Sequence, residues 1–290
     1  MKRRLFSPVL ILATALPALP QTPAAVFRAE ARLVQVYATV IDHRGRYVDG
    51  IPRERFRITD EGQPQPIVAF ESNASELSCA ILLDTTGSMR DALPAVKNAV
   101  SRLIDEFRDD DSVAVYAFSS SLELLQDFTT DKAAARRAML RTRALGATAL
   151  FDALTRVTVD IAARSGKKAL VVFTDGDDNA SVLNAQRVVD QAKKSGIPVY
   201  AVAEGDALRA APLLNRLREI ATLSGGRIYS AKDAREINKV FQDISDELQH
   251  TYLLTYRPPE THGQNWRQIQ VSLADVKDCT VRSKEGYFPD

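Results

Sequence analysis

The chain is short of the residues that most enzymes use for nucleophilic and proton-transfer chemistry. Its 290 residues include two cysteines, three histidines and one tryptophan. The histidines, His43, His250 and His262, fall in or beside β-like stretches near the two ends. No G-x-S-x-G elbow and no glycine-rich phosphate loop occurs, which argues against the α/β-hydrolase and P-loop classes. Charge of one sign is also missing: 38 Lys and Arg stand against 37 Asp and Glu, for a net charge of +1. No polybasic run with interleaved aromatics appears, so nucleic acid is not an expected partner.

Long apolar runs are rare too. One spans residues 5–19, after Lys2, Arg3 and Arg4, and is broken by Pro8 and Pro17. It is shorter than the about 20 residues a spanning helix needs. A basic start, an apolar stretch and small residues after it read as a signal peptide over residues 1–25. The expectation is an exported chain (periplasmic, cell-surface or secreted) with no transmembrane segment once mature. Export would allow Cys79 and Cys279 to oxidise. Two buried free thiols are the other reading.

What is present is a change of periodicity along the chain. Residues 26–75 read as a β segment: "LVQVYATVID" alternates Val34, Val36, Ala38 and Val40 with polar or aromatic neighbours, and "RFRIT" and "IVAF" follow after turns. Over 76–250, short continuous apolar runs such as "CAILL", "SVAVYAF" and "ALVVFT" alternate with amphipathic helices. Leu93, Val96, Val100, Leu103 and Phe107 mark one helical face, and Leu150, Leu154, Val157 and Ile161 another. Asp131 is placed to cap one helix, and Asp233 with Glu236 has capping-box spacing. This alternation predicts a doubly wound α/β fold, with a mostly parallel sheet covered on both faces. "LELLQDF" would be its antiparallel edge strand. Residues 251–290 return to β and are expected to pair with 26–75 in a small accessory β-unit, since neither segment can build a core alone.

In an open parallel sheet, ligands bind at the carboxyl ends of the strands. Three polar clusters fall there: Asp84-Thr85-Thr86-Gly87-Ser88, "GATAL" with Thr148, and Thr174-Asp175-Gly176-Asp177-Asp178-Asn179. Together they supply carboxylates and hydroxyls, with no histidine and no thiol. Hard oxygens suit Mg²⁺, Mn²⁺ or Ca²⁺ and not zinc or copper. Mg²⁺ uses only one or two carboxylates and keeps several waters. Such a set leaves a coordination position open, which a partner's carboxylate could take.

In this order and spacing, "DTTGS", "GATALFDAL" and "VVFTDGDDN" resemble the metal-ion-dependent adhesion site (MIDAS) of von Willebrand factor A (VWFA) domains. The resemblance covers roughly residues 77–248. The flanking "HTYLLTYRPP" and "KEGYF" are similar to those of exported bacterial VWFA-related proteins. It implies a Rossmann-like fold, a non-enzymatic adhesion function and a divalent cation, most simply Mg²⁺. The metal residues it implies are Asp84, Thr86, Ser88, Thr148 and Asp175, and the partner is a protein that offers a Glu or Asp. Thr86 departs from the family pattern, which usually has Ser there. Asp177 and Asp178 lie outside the pattern and are expected to serve helix N-terminal charge instead. A rival reading takes "DTTGS" as the start of a Mg²⁺-dependent aspartyl-phosphate hydrolase-like enzyme with Asp84 as nucleophile. The soluble phosphatases of that class carry a second Asp where Thr86 stands. "GATALFDAL" and the antiparallel hairpin have no place in that scheme.

Overall fold

The period-two segment of the N-terminal flank forms β1 (Val34–Asp42). It is followed by β2 (Phe56–Asp60), β3 (Gln63–Gln65) and β4 (Ile67–Glu71). The computed structural model describes residues 33–259, 265–276 and 278–289, apart from the Asp206 side chain. The leader assigned to 1–25 lies outside the described residues.

The middle of the chain then alternates. β5 (Leu77–Asp84) is buried along its whole length and leads through a turn of 3-10 helix, Gly87–Arg90, into α1 (Leu93–Glu106). β6 (Ser112–Phe118) and β7 (Leu122–Thr129) form a hairpin, followed by α2 (Lys132–Leu140) and α3 (Leu150–Ala162). β8 (Lys167–Thr174), α4 (Ala185–Ser195), β9 (Val199–Glu204), α5 (Ala211–Ser224), β10 (Arg227–Ala231) and α6 (Ala234–Gln249) complete the series. The sheet order is β10-β9-β8-β5-β6-β7. All its pairs are parallel except β6 with β7, so "LELLQDF" is the antiparallel edge.

The helices begin and end for local reasons. Asp131 accepts from the Ala134 amide at 2.9 Å at the start of α2. Asp233 accepts from the Arg235 and Glu236 amides at 2.8 and 2.9 Å. The reciprocal bond of this cap differs from the usual box: Glu236 accepts from the Lys232 amide, at 2.8 Å. Gly196 ends α4 in the left-handed region, φ 58°, where a side chain would be strained. The α1 and α3 stripes pack on opposite faces of the sheet, so two apolar cores sandwich it.

The chain then enters β11 (Thr251–Tyr256), β12 (Arg267–Leu273), β13 (Cys279–Ser283) and β14 (Gly286–Tyr287). Two antiparallel sheets result, β13-β1-β11-β4 and β14-β12-β2-β3, each built from both flanks. They share one core that includes Val36, Phe56, Ile58, Tyr252, Leu254 and Ile269. This accessory β-unit has its own buried polar centre. Asp60 accepts from Tyr256 and Tyr287 hydroxyls at 2.8 and 2.9 Å and from Arg267 Nε at 2.8 Å.

The alternation in β1 does not separate a dry face from a wet one. Tyr37 and Thr39 are buried, like Val36 and Val40. Their face lies toward the α/β sheet, where the Tyr37 hydroxyl accepts from the Lys168 amide at 3.0 Å. Both cysteines are free thiols: Cys79 is buried in an α/β core, and Cys279 packs against the core of the β-unit.

Candidate metal centre

Three connections converge at the carboxyl rim of the sheet. β5 stops on Asp84, whose carboxylate is wholly buried. The Thr86 amide donates to Asp84 Oδ1 at 2.9 Å, which folds the next residues back over the strand end. Thr86 itself is 1% exposed. Its hydroxyl lies 3.0 Å from Ser88 Oγ, and Ser88 Oγ donates to Asp175 Oδ1 at 2.8 Å. A chain of hydrogen bonds thus runs from the end of β5 to the residue after β8.

Thr148 joins from the third connection. Its amide donates to Asn179 Oδ1 at 2.9 Å, and its carbonyl accepts from the Asn179 and Ala180 amides, both at 3.0 Å. These bonds bring the α3 entry against the loop that follows β8. A Cβ added to Gly176 would lie 3.6 Å from Thr148 Oγ1 and 3.8 Å from Ser88 Oγ. Glycine there leaves the three connections room to approach one another. All five residues singled out in the sequence therefore lie at one rim: Asp84, Thr86, Ser88 and Asp175 in the bonded chain, and Thr148 beside it.

Two supporting residues were not among those five. Thr174 donates to Asp84 Oδ2 at 2.7 Å. It ends β8 next to the end of β5, one position past the Leu83–Phe173 register pair. That adjacency, the last residues of two neighbouring parallel strands, was the available signal. Asn179 anchors Thr148 from across the rim. Asp178 serves the helix as expected: its carboxylate accepts from the Phe151 amide at 2.8 Å in the first turn of α3, and from Ser181. Asp177 accepts from the Asp178 amide at 2.9 Å.

The electrostatics of the rim are set by burial. Burial pushes the Asp84 carboxyl up to about 6 from its ordinary 3.8; hydrogen bonds from Thr86 and Thr174 pull it back, and the neighbouring Asp175 charge adds to the rise. Among the described residues no set of three His, Cys, Asp or Glu side chains could hold a metal, so a soft or all-carboxylate site is not offered. Two carboxylates and three hydroxyls at one rim fit a hard cation that keeps water. The same geometry disfavours Asp84 as a nucleophile, because both its oxygens are engaged by Thr86 and Thr174 and none faces solvent.

The family model of the von Willebrand factor type A domain matches residues 79–243, more than half of the chain. The chain belongs to the von Willebrand factor type A family. Among curated relatives, the A-domain chain is 24% identical over 201 residues to a UPF0353 protein of Mycolicibacterium paratuberculosis, covering 58% of this chain and 59% of that one. It is 25% identical over 238 residues to human integrin alpha-D, covering 78% of this chain and 20% of the integrin. The chain thus spans less than two thirds of the length of these relatives. Among solved structures, a von Willebrand factor type A protein from Catenulispora acidiphila superposes with a TM-score of 0.54 at 17% identity, over 89% of this chain and 74% of that one. The domain of the type V pili tip protein Mfa5 from Porphyromonas gingivalis gives 0.51 at 11% identity, over 59% and 94%. At such identities the superpositions establish the fold. Membership of the A-domain family supports a protein-interaction module. Among the described residues no helix is long and apolar enough to cross a membrane.

Proposed function

We propose that this chain is an exported, non-enzymatic module that binds a protein partner through a divalent cation held by Asp84, Thr86, Ser88, Thr148 and Asp175. The observation that carries the reading is the hydrogen-bonded chain Asp84–Thr86–Ser88–Asp175 at the carboxyl rim, with Thr148 alongside. Bound there, Mg²⁺ (or Mn²⁺ or Ca²⁺) would supply an electrophilic position for a Glu or Asp carboxylate of the partner. The chain's own residues do the rest. Thr86 and Ser88 present neutral oxygens from a turn fixed by the Asp84 carboxylate, and Thr174 holds that carboxylate still. Asn179 fixes Thr148. Thr86 brings a methyl group that Ser would not, and its burial keeps that methyl inside the turn.

We read residues 76–250 as the binding domain and 26–75 with 251–290 as the β-unit that carries it. The leader-like residues 1–25 support export, which N-terminal sequencing of the protein recovered outside the cytoplasm would test. The metal reading is tested by titrating Mg²⁺ into the wild type and Asp84→Ala, and by capture from the exported fraction in Mg²⁺ against EDTA. Mg²⁺ uptake lost in the variant and EDTA-sensitive capture are expected. Capture indifferent to EDTA would overturn the reading. So would Mg²⁺-dependent phosphate-ester hydrolysis that disappears in Asp84→Asn.

A further inference from the structure

A groove of about 520 Å³ opens beside the rim, between the start of α1 and the strap that follows α2. Its walls include Arg90, Leu93, Pro94, Lys97, Leu140 and Arg143, and no carboxylate among the described residues lines it. Arg90 lies two residues after Ser88 in the same 3-10 turn. The strap is tied to that turn: the Leu145 amide donates to the Thr85 carbonyl at 2.7 Å, and the Gly87 amide to the Gly146 carbonyl at 3.2 Å. The groove is therefore continuous with the loop that presents Ser88. Lys97 fixes its floor by donating to the Thr142 and Leu140 carbonyls at 2.7 and 3.3 Å.

The guanidiniums of this groove, unlike Lys97, are not paired by the fold. Earlier on α2, Arg136 pairs with Asp105 and Arg137 with Asp131. At the strap and the turn, Arg90, Arg141 and Arg143 are exposed and have no carboxylate partner among the described residues. Leu140, in the groove wall, and Leu145, further along the strap, are exposed, at 58% and 75%. Unpaired guanidiniums around exposed apolar side chains complement a chain that alternates acidic and apolar residues.

We propose that the partner segment is acidic and apolar, and that it continues from the metal into this groove. One carboxylate reaches the cation, further carboxylates reach Arg90 and Arg143, and apolar side chains cover Leu140 and Leu145. The assignment rests on the metal reading above, and its test separates the two. The probe is a short peptide alternating Glu and Leu, compared with one that keeps a single Glu and has Gln at the others. Binding is measured in saturating Mg²⁺ with the wild type and Arg90→Glu/Arg143→Glu, alongside calorimetric titration of Mg²⁺ alone.

Charge reversal should weaken the multi-Glu peptide by about tenfold or more, with a shallower salt dependence. The single-Glu peptide and Mg²⁺ should bind both proteins alike. Arg90→Gln/Arg143→Gln, melting like the wild type, should shift affinity in the same direction by less. Normal Mg²⁺ uptake with no effect of reversal on the multi-Glu peptide would overturn the groove and leave the metal reading standing. No Mg²⁺ uptake by the wild type would overturn both. Phosphatidylserine vesicles that retain the wild type while neither peptide binds would overturn it in favour of a membrane surface.

Discussion

Asp60 and Asp84 are both at 0% exposure, yet the fold gives a cation only to Asp60. In the accessory β-unit, Arg267 donates to Asp60 from Nε, and two tyrosine hydroxyls occupy the other oxygen. At the rim of the α/β sheet, Asp84 receives only neutral donors among the described residues, a threonine amide and a threonine hydroxyl. Burying a charge is costly unless it is paired. Asp60 is paired within the protein, and its network ties β2 to β11, β12 and β14. Asp84 is held in place but left under-neutralised, and its carboxyl is pushed up to about 6 as a result. The first arrangement is structural. The second suits a group whose counter-charge arrives from solution.

The sharpest way to break this contrast is to remove each carboxylate in turn. Asp60→Asn should cost about 3–5 kcal/mol in denaturant unfolding, because Arg267 loses its buried counter-charge. A loss below about 1 kcal/mol would put Asp60 outside the structural class. Asp84→Asn should do the opposite in EDTA at neutral pH. Relieving the buried charge would leave stability unchanged or raised, by at most about 3 kcal/mol. In Mg²⁺ at about 100 times its Kd, the wild type should gain about 2.7 kcal/mol and the variant nothing, as thermal melts would read.

pH sharpens the same comparison. The folded Asp84 holds a proton between 3.8 and about 6 that the unfolded chain has released. Its contribution to stability in EDTA therefore falls as pH rises through that window, the reverse of a salt-bridged carboxylate. Mg²⁺ competes with that proton, so the Mg²⁺-induced gain should grow as pH rises through about 6. A gain independent of pH between 5 and 7 would remove Asp84 from the site. The smallest effects are expected at Thr86. Thr86→Val keeps the volume and loses the oxygen, so Mg²⁺ affinity should drop at least about tenfold, or 1.4 kcal/mol. Thr86→Ser keeps the oxygen and should change affinity by less than that, with about 1 kcal/mol of stability lost with the buried methyl.

Much of this was legible because the α/β region obeys local rules. β5 is apolar on both faces because helices cover both, and a continuous run is how such a strand reads. Leu150, Leu154, Val157 and Ile161 are all buried at helical spacing. Asp84, Thr86 and Ser88 sit in one short stretch, so their convergence needed only the strand-end rule and the family motif. Thr174 and Asn179 were harder to single out, because their roles depend on contacts across two connections. Thr174 matters through β5–β8 register, and Asn179 through the approach of the Thr148 strap. The β-unit was legible as strands but not as two sheets sharing a core. Tyr37 and Thr39 carry no mark in the sequence that a second buried surface lies above them. Asp60 likewise reads as a turn residue after "RFRIT", and only the pairing of β2 with β12 brings Arg267 to it.

β5 has a further consequence. It is the central strand, in register with β6 and β8 over seven pairs on each side, and its two ends belong to different parts of the molecule. One end follows β4 of the accessory unit, and the other is Asp84. Tension between a captured partner and the β-unit would run along this strand's axis. Its hydrogen bonds to both neighbours would then be loaded together in shear, not peeled one at a time. The strand that ends on Asp84 is thus also the one best placed to carry mechanical load.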